Sequence, residues 1–379
     1  MNFARVAEFL TLGCYRLLRL FKPHIDPNKP NAVKKQILVI RTDLIGDFFC
    51  WLPAGKALRQ HFPADQYDLT LVVNQVCGDI AQQVLEPQRL LTVDSHRLIE
   101  DRSYRFGIIQ QLQDRLYDLV INTHYARDWA TDIIAFAVGG KKKVAHTGNL
   151  ANINGLIRQL TNFFYHQRTA PETTEPLDER RRNLVMAEFL GAKQPGNLIV
   201  TVRGNTKEKL PKAYYMIAPG ASLSRRRWPA KSFATVIQKV NQSHPELTPV
   251  IIPGPGEKDL CHAIASRVAD IKVIIPDPMP LMQYAAWVKK AQFLLANDSG
   301  PAHMGATLGT RTIVILGGGN EHRFFPYNTA DGQTDPKTLV AHQPMPCYGC
   351  LWRCQLEPEG QGTFPCIAAV TPDQVEALL

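Results

Sequence analysis

Residues 37–53 read ILVIRTDLIGDFFCWLP. Four branched aliphatic residues bounded by Arg41, Thr42 and Asp43 have the length and composition of a buried strand. After Gly46 and Asp47 the chain turns to aromatics and then to LPAGKALRQHF, a helix-length segment. A strand passing almost directly into a helix opens a βα unit, and repetition of that unit builds a parallel sheet covered on both faces. Asp43 and Asp47 then stand just beyond a C-terminal strand end, where open parallel sheets bind their ligands.

The same rhythm runs outward from this junction. YDLTLVV, RLLTV and YDLVIN are further strand candidates, with helix-length segments such as IIQQLQDRL between them. From about Gln167 to Asn205 the rhythm is lost, and TAPETTEP followed by DERRR reads as an acidic-then-basic helical connector. A second alternating set follows: YYMIAPG, TPVIIPGPGE, IKVIIPD, AQFLLANDSG and TRTIVILGGG, separated by helices such as KSFATVIQKV and LMQYAAWVKK. The expected organisation is a basic N-terminal helix and linker over 1–35, a first Rossmann-like domain over 36–170 and a connector over 171–210. A second Rossmann-like domain over 211–345 and a Cys-rich tail over 346–379 complete it. Two sheets of this kind are expected to face a central cleft.

A chain of 379 residues with 45% hydrophobic and 20% charged residues has material for two cores. The formal charge is +9, and residues 1–35 carry seven Lys or Arg against Glu8 and Asp26. The remainder is nearly balanced, which excludes a broad nucleic-acid surface and leaves a local basic attachment point. Over 3–21, Phe3, Val6, Leu10, Cys14, Leu17 and Phe21 share one helical face, with Arg5, Glu8, Arg16 and Arg19 opposite. That pattern fits a helix packed on its own domain or one lying on an anionic membrane leaflet. No run is long enough to span a bilayer, and Arg16 and Arg19 interrupt any signal-peptide core. The expected place is therefore cytoplasmic, peripheral on the inner face of the inner membrane.

Two loops carry residues suited to an anionic ligand. APGASLSRRRWP (218–229) follows a strand and precedes a helix, offering Ser222 and three arginines to phosphate oxygens. A solvated basic loop would look the same. In ANDSGPAHMGA (296–306), Asp298 or Ser299 can cap a helix beginning near Pro301, with His303 on its first turn. Such a cap also serves stability alone. At the opening junction, a carboxylate beside a bound phosphate ester is what a general base requires, and Asp47 suits that role better than Asp43. The chain contains neither Asp-x-Asp nor GxxxxGK[ST], so charge on a leaving diphosphate falls to Arg, hydroxyls and helix ends.

Taken in order, these blocks resemble the lipopolysaccharide heptosyltransferases of glycosyltransferase family 9. ILVIRTDLIGDFFCWLPAGKALR, PGASLSRRRWPAKSFA, PGPGEKD and ANDSGPAHMGATLGTRTIVILGGGNEHRFFPY follow that family's order over residues 36–327. The resemblance implies a GT-B fold, with the acceptor held mainly by the first domain and the nucleotide sugar by the second. It implies metal-independent inversion and transfer of heptose from ADP-heptose to a lipopolysaccharide core acceptor. It matches Asp47 to the general base; Asp298, Ser299, Gly300 and His303 to donor contacts; and Arg226 to a position usually held by Lys. The family's Phe-Gly-Pro after the last strand is LGGG here, a change that bears on the adenosine or sugar pocket.

Two other readings compete with this one. A nucleotide-sugar 2-epimerase of the same fold would want further acid/base carboxylates in the second domain and no membrane attachment. A degenerate, non-catalytic membrane-bound assembly partner would have no need to keep Asp47, Arg226, Asp298 and His303 together. Finally, Cys347, Cys350, Cys354 and Cys366 crowd the tail. Their spacing suits a structural zinc or iron site, or four reduced thiols in a packed tail.

Overall fold

The computed structural model describes residues 34–170, 177–204, 210–329, 332–356 and 362–379. The basic helix expected over 3–21, and most of the linker behind it, lie outside the described residues.

The first sheet holds β1 (Lys35–Arg41), β2 (Tyr67–Asn74), β3 (Arg89–Val93), β4 (Tyr117–Asn122), β5 (Gly140–Ala145) and β6 (Gln167–Arg168). All neighbours are parallel, in the order β3-β2-β1-β4-β5-β6. β1 lies inside the sheet, with Ile40 opposite Val72 on one side and Asn122 on the other. That explains its unbroken ILVI: both faces and both edges are covered. Leu38, Ile40, Val72 and Val120 pack with Ile109, Leu112, Ile133 and Ile134 from helices Arg102–Leu112 and Trp129–Ala137. Strand order reverses at β1 and β4, so the loops after Arg41 and Asn122 form the topological switch point.

The second sheet holds β7 (Tyr214–Ala218), β8 (Thr248–Ile251), β9 (Leu294–Asn297), β10 (Thr312–Leu316) and β11 (Thr338–His342). It is also wholly parallel, in the order β11-β10-β9-β7-β8, with its switch point at β7 and β9. Tyr215, Ile217, Leu295, Ile313 and Ile315 form its core with Phe233, Val236 and Ile237 of helix Ala230–Ser243. IKVIIPD, expected as a strand, contributes only a bridge between Ile274 and Val250.

The chain groups into two compact units whose limits are not simple cuts. One takes the sequence up to Leu44, Gly55–Thr174 and Val185–Lys193; the other takes Ile45–Ala54, Glu175–Leu184 and Gln194–Leu379. The opening half of helix Ile45–His61, which carries Asp47, thus belongs with the second sheet. Pro53 lies inside that helix and has no N–H to give the carbonyl of Phe49. The Thr307 hydroxyl takes that carbonyl at 2.9 Å, so the proline's defect is closed by a second-unit side chain. The DERRR run leads into the helix Glu179–Phe189. Helix Glu179–Phe189 begins with Glu179, Arg180 and Asn183 buried, and the Glu179 N–H donates to the carbonyl of Arg323 at 2.7 Å.

Candidate active site

In the first unit the switch point is a closed polar clasp. Asp43 pairs with Arg41 at 2.9 Å and with Nδ1 of His124 at 2.5 Å. The Thr42 N–H donates to Nε2 of the same imidazole at 3.0 Å, and the Arg41 guanidinium donates to the carbonyl of Thr123 at 3.0 Å. Burial works against a charge on His124, but Asp43 outweighs it and moves its pKa upward. Both oxygens of Asp43 face cationic or N–H partners, an arrangement that ties the ends of β1 and β4 together.

In the second unit Asn297, at the end of β9, spans the switch point. Its amide donates to the carbonyl of Pro219 at 2.7 Å and its oxygen accepts from the Trp228 N–H at 3.1 Å. This fixes the loop carrying Arg225, Arg226 and Arg227, whose three guanidiniums diverge. Arg225 lies over Phe364, 4.4 Å from the ring centre. Arg227 pairs with Glu257 at 3.0 Å. Glu257 itself accepts from the Gly254 N–H and lies where a Cβ on Gly220 or Gly254 would have to go, which accounts for those two glycines. Of the three, Arg226 turns to Asp298, donating to its carbonyl at 2.5 Å and to its carboxylate at 3.1 Å. Ser222 stands exposed in the same loop.

Asp298 is 3% exposed, and its Oδ1 has no hydrogen-bond partner among the described residues. Burial raises its pKa, against the pull of Arg226. Helix Gly300–Leu308 has Ser299 at its N-cap position, yet neither Ser299 nor Asp298 supplies a side-chain cap. The Ser299 hydroxyl donates instead to the carbonyl of Asn297 at 3.2 Å. The cap expected from the sequence is therefore not made, and the positive end of the helix has no side-chain acceptor from either residue.

His303 is 5% exposed on the first turn. Its Nδ1 lies 2.7 Å from the Tyr327 hydroxyl, which lies 2.9 Å from the thiol of Cys50. Its Nε2 faces Oδ1 of Asp298 at 3.8 Å, and Phe325 stacks on the ring at 4.8 Å. Burial, then Arg226, Arg180 and Arg323, push its pKa down to about 3, so the imidazole is neutral near pH 7. A Cβ on Gly46 would come within 2.8 Å of the His303 ring, and one on Gly300 within 3.6 Å of the Gly46 nitrogen. The starts of helices Ile45–His61 and Gly300–Leu308 thus abut, and the glycine at 46 permits it. Asp47, half-buried on the first turn of the former, interacts electrostatically with Arg323 and Cys50. Arg323 is held by Glu179 at 3.2 Å.

The structure therefore brings Gly46, Gly300 and His303 together, joins Arg226 to Asp298, and sets Asp47 in the field of Arg323. Sequence reasoning passed over Cys50, Glu179, Arg180, Arg323 and Tyr327. Arg323 and Tyr327 lie in the EHRFFPY stretch, whose order was the available signal. LGGG also gains a reason: a Cβ on Gly318 would meet the Tyr348 ring at 2.0 Å, and one on Gly319 the Trp352 ring at 2.2 Å. The tail lies on those glycines. Cys347, Cys350, Cys354 and Cys366 line one small cavity there with Met345, Tyr348, Trp352 and Phe364. Among the described residues, no group of three His, Cys, Asp or Glu side chains is arranged to hold a metal ion.

Two Rossmann-like parallel-sheet units define a GT-B fold. The sequence profile of glycosyltransferase family 9 (heptosyltransferase) matches residues 105–348, and the chain belongs to that family. It is 21% identical over 310 residues to the lipopolysaccharide core heptosyltransferase OpsX of Haemophilus influenzae, covering 78% of this chain and 83% of that one. The E. coli heptosyltransferase WaaC with ADP superposes with a TM-score of 0.65 at 17% identity, over 90% of this chain and 98% of that one. The iron-containing dodecameric glycosyltransferase TibC of enterotoxigenic E. coli gives a TM-score of 0.50 at 13% identity, over 91% and 75%.

Proposed function

We propose that this enzyme transfers heptose, with inversion and without a metal ion, from ADP-heptose to a lipopolysaccharide core acceptor. The observation that supports the proposal is the abutting pair of helix starts, Gly46 against His303 and Gly300, with Asp47 the next residue after Gly46 and in electrostatic contact with Arg323. The relatives support the substrate classes: OpsX is a lipopolysaccharide core heptosyltransferase, and WaaC is seen with ADP and with ADP-2-deoxy-2-fluoro heptose.

Asp47 accepts the proton of an acceptor hydroxyl as that oxygen attacks the anomeric carbon. The bond from that carbon to the diphosphate oxygen breaks on the opposite face, and its electron pair leaves with ADP. The growing charge is met by Arg226, by the Gly300 N–H at the positive helix end and by a neutral imidazole N–H of His303. Ser222 and Ser299 offer hydroxyls to the phosphates, and Asp298 a carboxylate to the sugar. These fixed donors do the work that an Asp-x-Asp-bound metal would otherwise do. The basic segment 1–35 holds the enzyme to the anionic inner face of the inner membrane, in the cytoplasm, where a lipid-anchored acceptor is presented. Among the described residues no helix is long and apolar enough to cross a membrane.

The test is transfer from ADP-heptose to a delipidated core oligosaccharide, followed by mass spectrometry, with and without EDTA. The expected result is a single heptose addition that survives chelation. Rescue of a chelated enzyme by Mg²⁺ would overturn the metal-free mechanism, and indifference to ADP-heptose beside active use of another nucleotide sugar would overturn the donor.

A further inference from the structure

We propose that Tyr327 and Cys50 are positioning residues: a buried hydrogen-bond chain, Cys50–Tyr327–His303, fixes the histidine in the tautomer that presents Nε2–H to the bound donor. This rests on the reading that the Gly300 helix start takes the donor's diphosphate.

The chain is continuous and shielded from water. Cys50, His303 and Tyr327 are 1%, 5% and 0% exposed. The two links measure 2.9 Å and 2.7 Å. A hydroxyl has one proton, so Tyr327 can donate to Nδ1 or to the thiol but not to both. The other end of the imidazole decides. Nε2 lies 3.8 Å from the carboxylate of Asp298, too far for a hydrogen bond but close enough for its charge to favour a proton over a lone pair there, and that N–H stays free for the donor. Nδ1 is then bare and accepts from Tyr327, and the Tyr327 oxygen accepts from the Cys50 S–H. The opposite order would point the lone pair of Nε2 at a carboxylate and leave the weakly accepting thiol sulfur to take the phenol proton.

The surroundings hold this state over a wide pH range. Three cations face the imidazole from three different segments: Arg226 after β7, Arg180 in the connector helix and Arg323 after β10. Arg180 also lies over the Tyr327 ring at 4.4 Å. The negative groups nearby are Asp298, which Arg226 offsets, and Glu179, which Arg182 and Arg323 share. Asp47 lies on the helix that supplies Cys50, and raises the pKa of that thiol together with burial. A second proton on His303 would have to displace the Tyr327 bond and enter this positive field. Cysteine at position 50 also has a physical sense. The thiol sits one helical turn beyond Asp47, so the chain joins the helix of the base to the histidine of the donor site.

The experiment uses the full-length protein with ¹⁵N-labelled histidine, the His303 signals being assigned by their loss in His303→Gln. ADP binding is measured in parallel by calorimetry. The wild type should show the Nε2–H pattern, unchanged from pH 8 to pH 5. Tyr327→Phe should mix the two tautomers and weaken ADP binding about fivefold, the loss of one neutral hydrogen bond. Cys50→Ala should shift the same signals in the same direction, and Cys50→Ser should restore what Cys50→Ala loses. A wild-type proton on Nδ1 overturns the proposal, as does an unaltered tautomer in both Tyr327→Phe and Cys50→Ala. Should Tyr327→Phe not fold, the Cys50 pair decides alone. Failure of the wild type to bind ADP would instead refute the nucleotide reading, while the tautomer would still be read directly.

Discussion

Replacing Arg226 by Ala would remove the guanidinium that pairs with the buried carboxylate of Asp298. Asp298 is 3% exposed, and Arg226 supplies its salt bridge at 3.1 Å as well as a donor to its carbonyl. Breaking a buried pair from one side costs about 3–5 kcal/mol when the remaining charge is stranded. Arg226 keeps some solvent contact, its side chain being 15% exposed, so about 3 kcal/mol at pH 7 is the fitting figure. Asp298 can escape the penalty by taking a proton, because burial already raises its pKa and the variant loses the opposing pull of Arg226. Below that raised pKa the folded state binds more protons than the unfolded state, so stability falls as pH rises and recovers as pH falls. The penalty should therefore shrink on acidification from pH 7. Its slope is up to about 1.4 kcal/mol per pH unit between the raised folded pKa and the unfolded value near 4. Urea unfolding followed by tryptophan fluorescence is the assay. Trp51, Trp228, Trp287 and Trp352, four of the five tryptophans, belong to the second unit. A penalty below about 1 kcal/mol, or one indifferent to pH, would refute the reasoning.

Two further outcomes follow from buried polar groups. Thr307→Val should cost about 1–3 kcal/mol by stranding the Phe49 carbonyl, and adding Pro53→Ala should return most of it, because an alanine there has an N–H for that carbonyl; urea midpoints of the single and double variants check this. His303, with its pKa pushed down to about 3, is neutral when folded yet takes a proton when unfolded below about pH 6.5. Its contribution to stability is thus present above about pH 6.5 and lost on acidification toward the folded pKa at about 1.4 kcal/mol per unit, a slope that His303→Gln should remove from the stability–pH curve.

Much of the fold was legible because buried parallel strands are short, apolar and β-branched: ILVI and TIVIL could be little else. The misses have identifiable causes. β5 reads GKKKVA, and its central Lys143 is buried only because its ammonium donates to the carbonyls of Phe136 and Val138 at 2.9 and 2.8 Å. Composition cannot show such partners. IKVIIPD has a strand's composition, but only Ile274 pairs. DERRR reads as part of a helical connector, but its partners Arg323 and Tyr327 lie far along the chain and could not be named from it. In the site, Arg226, Asp298 and His303 could be named because each sits at a strand end or helix start. Cys50 and Tyr327 could not, since they are 277 residues apart and neither has a motif of its own.

The central claim is that Asp47 removes the acceptor's proton while the second unit holds the donor. Its most direct measurement compares Asp47→Asn with the wild type for heptosyl transfer and for ADP affinity in the same preparation. Turnover is predicted to fall by about 10²–10⁴ while ADP affinity stays within about twofold, because Asn keeps the size of the side chain and removes its basicity. Turnover equal to the wild type would contradict the assignment, and a loss seen only in Asp43→Asn would move the base to Asp43.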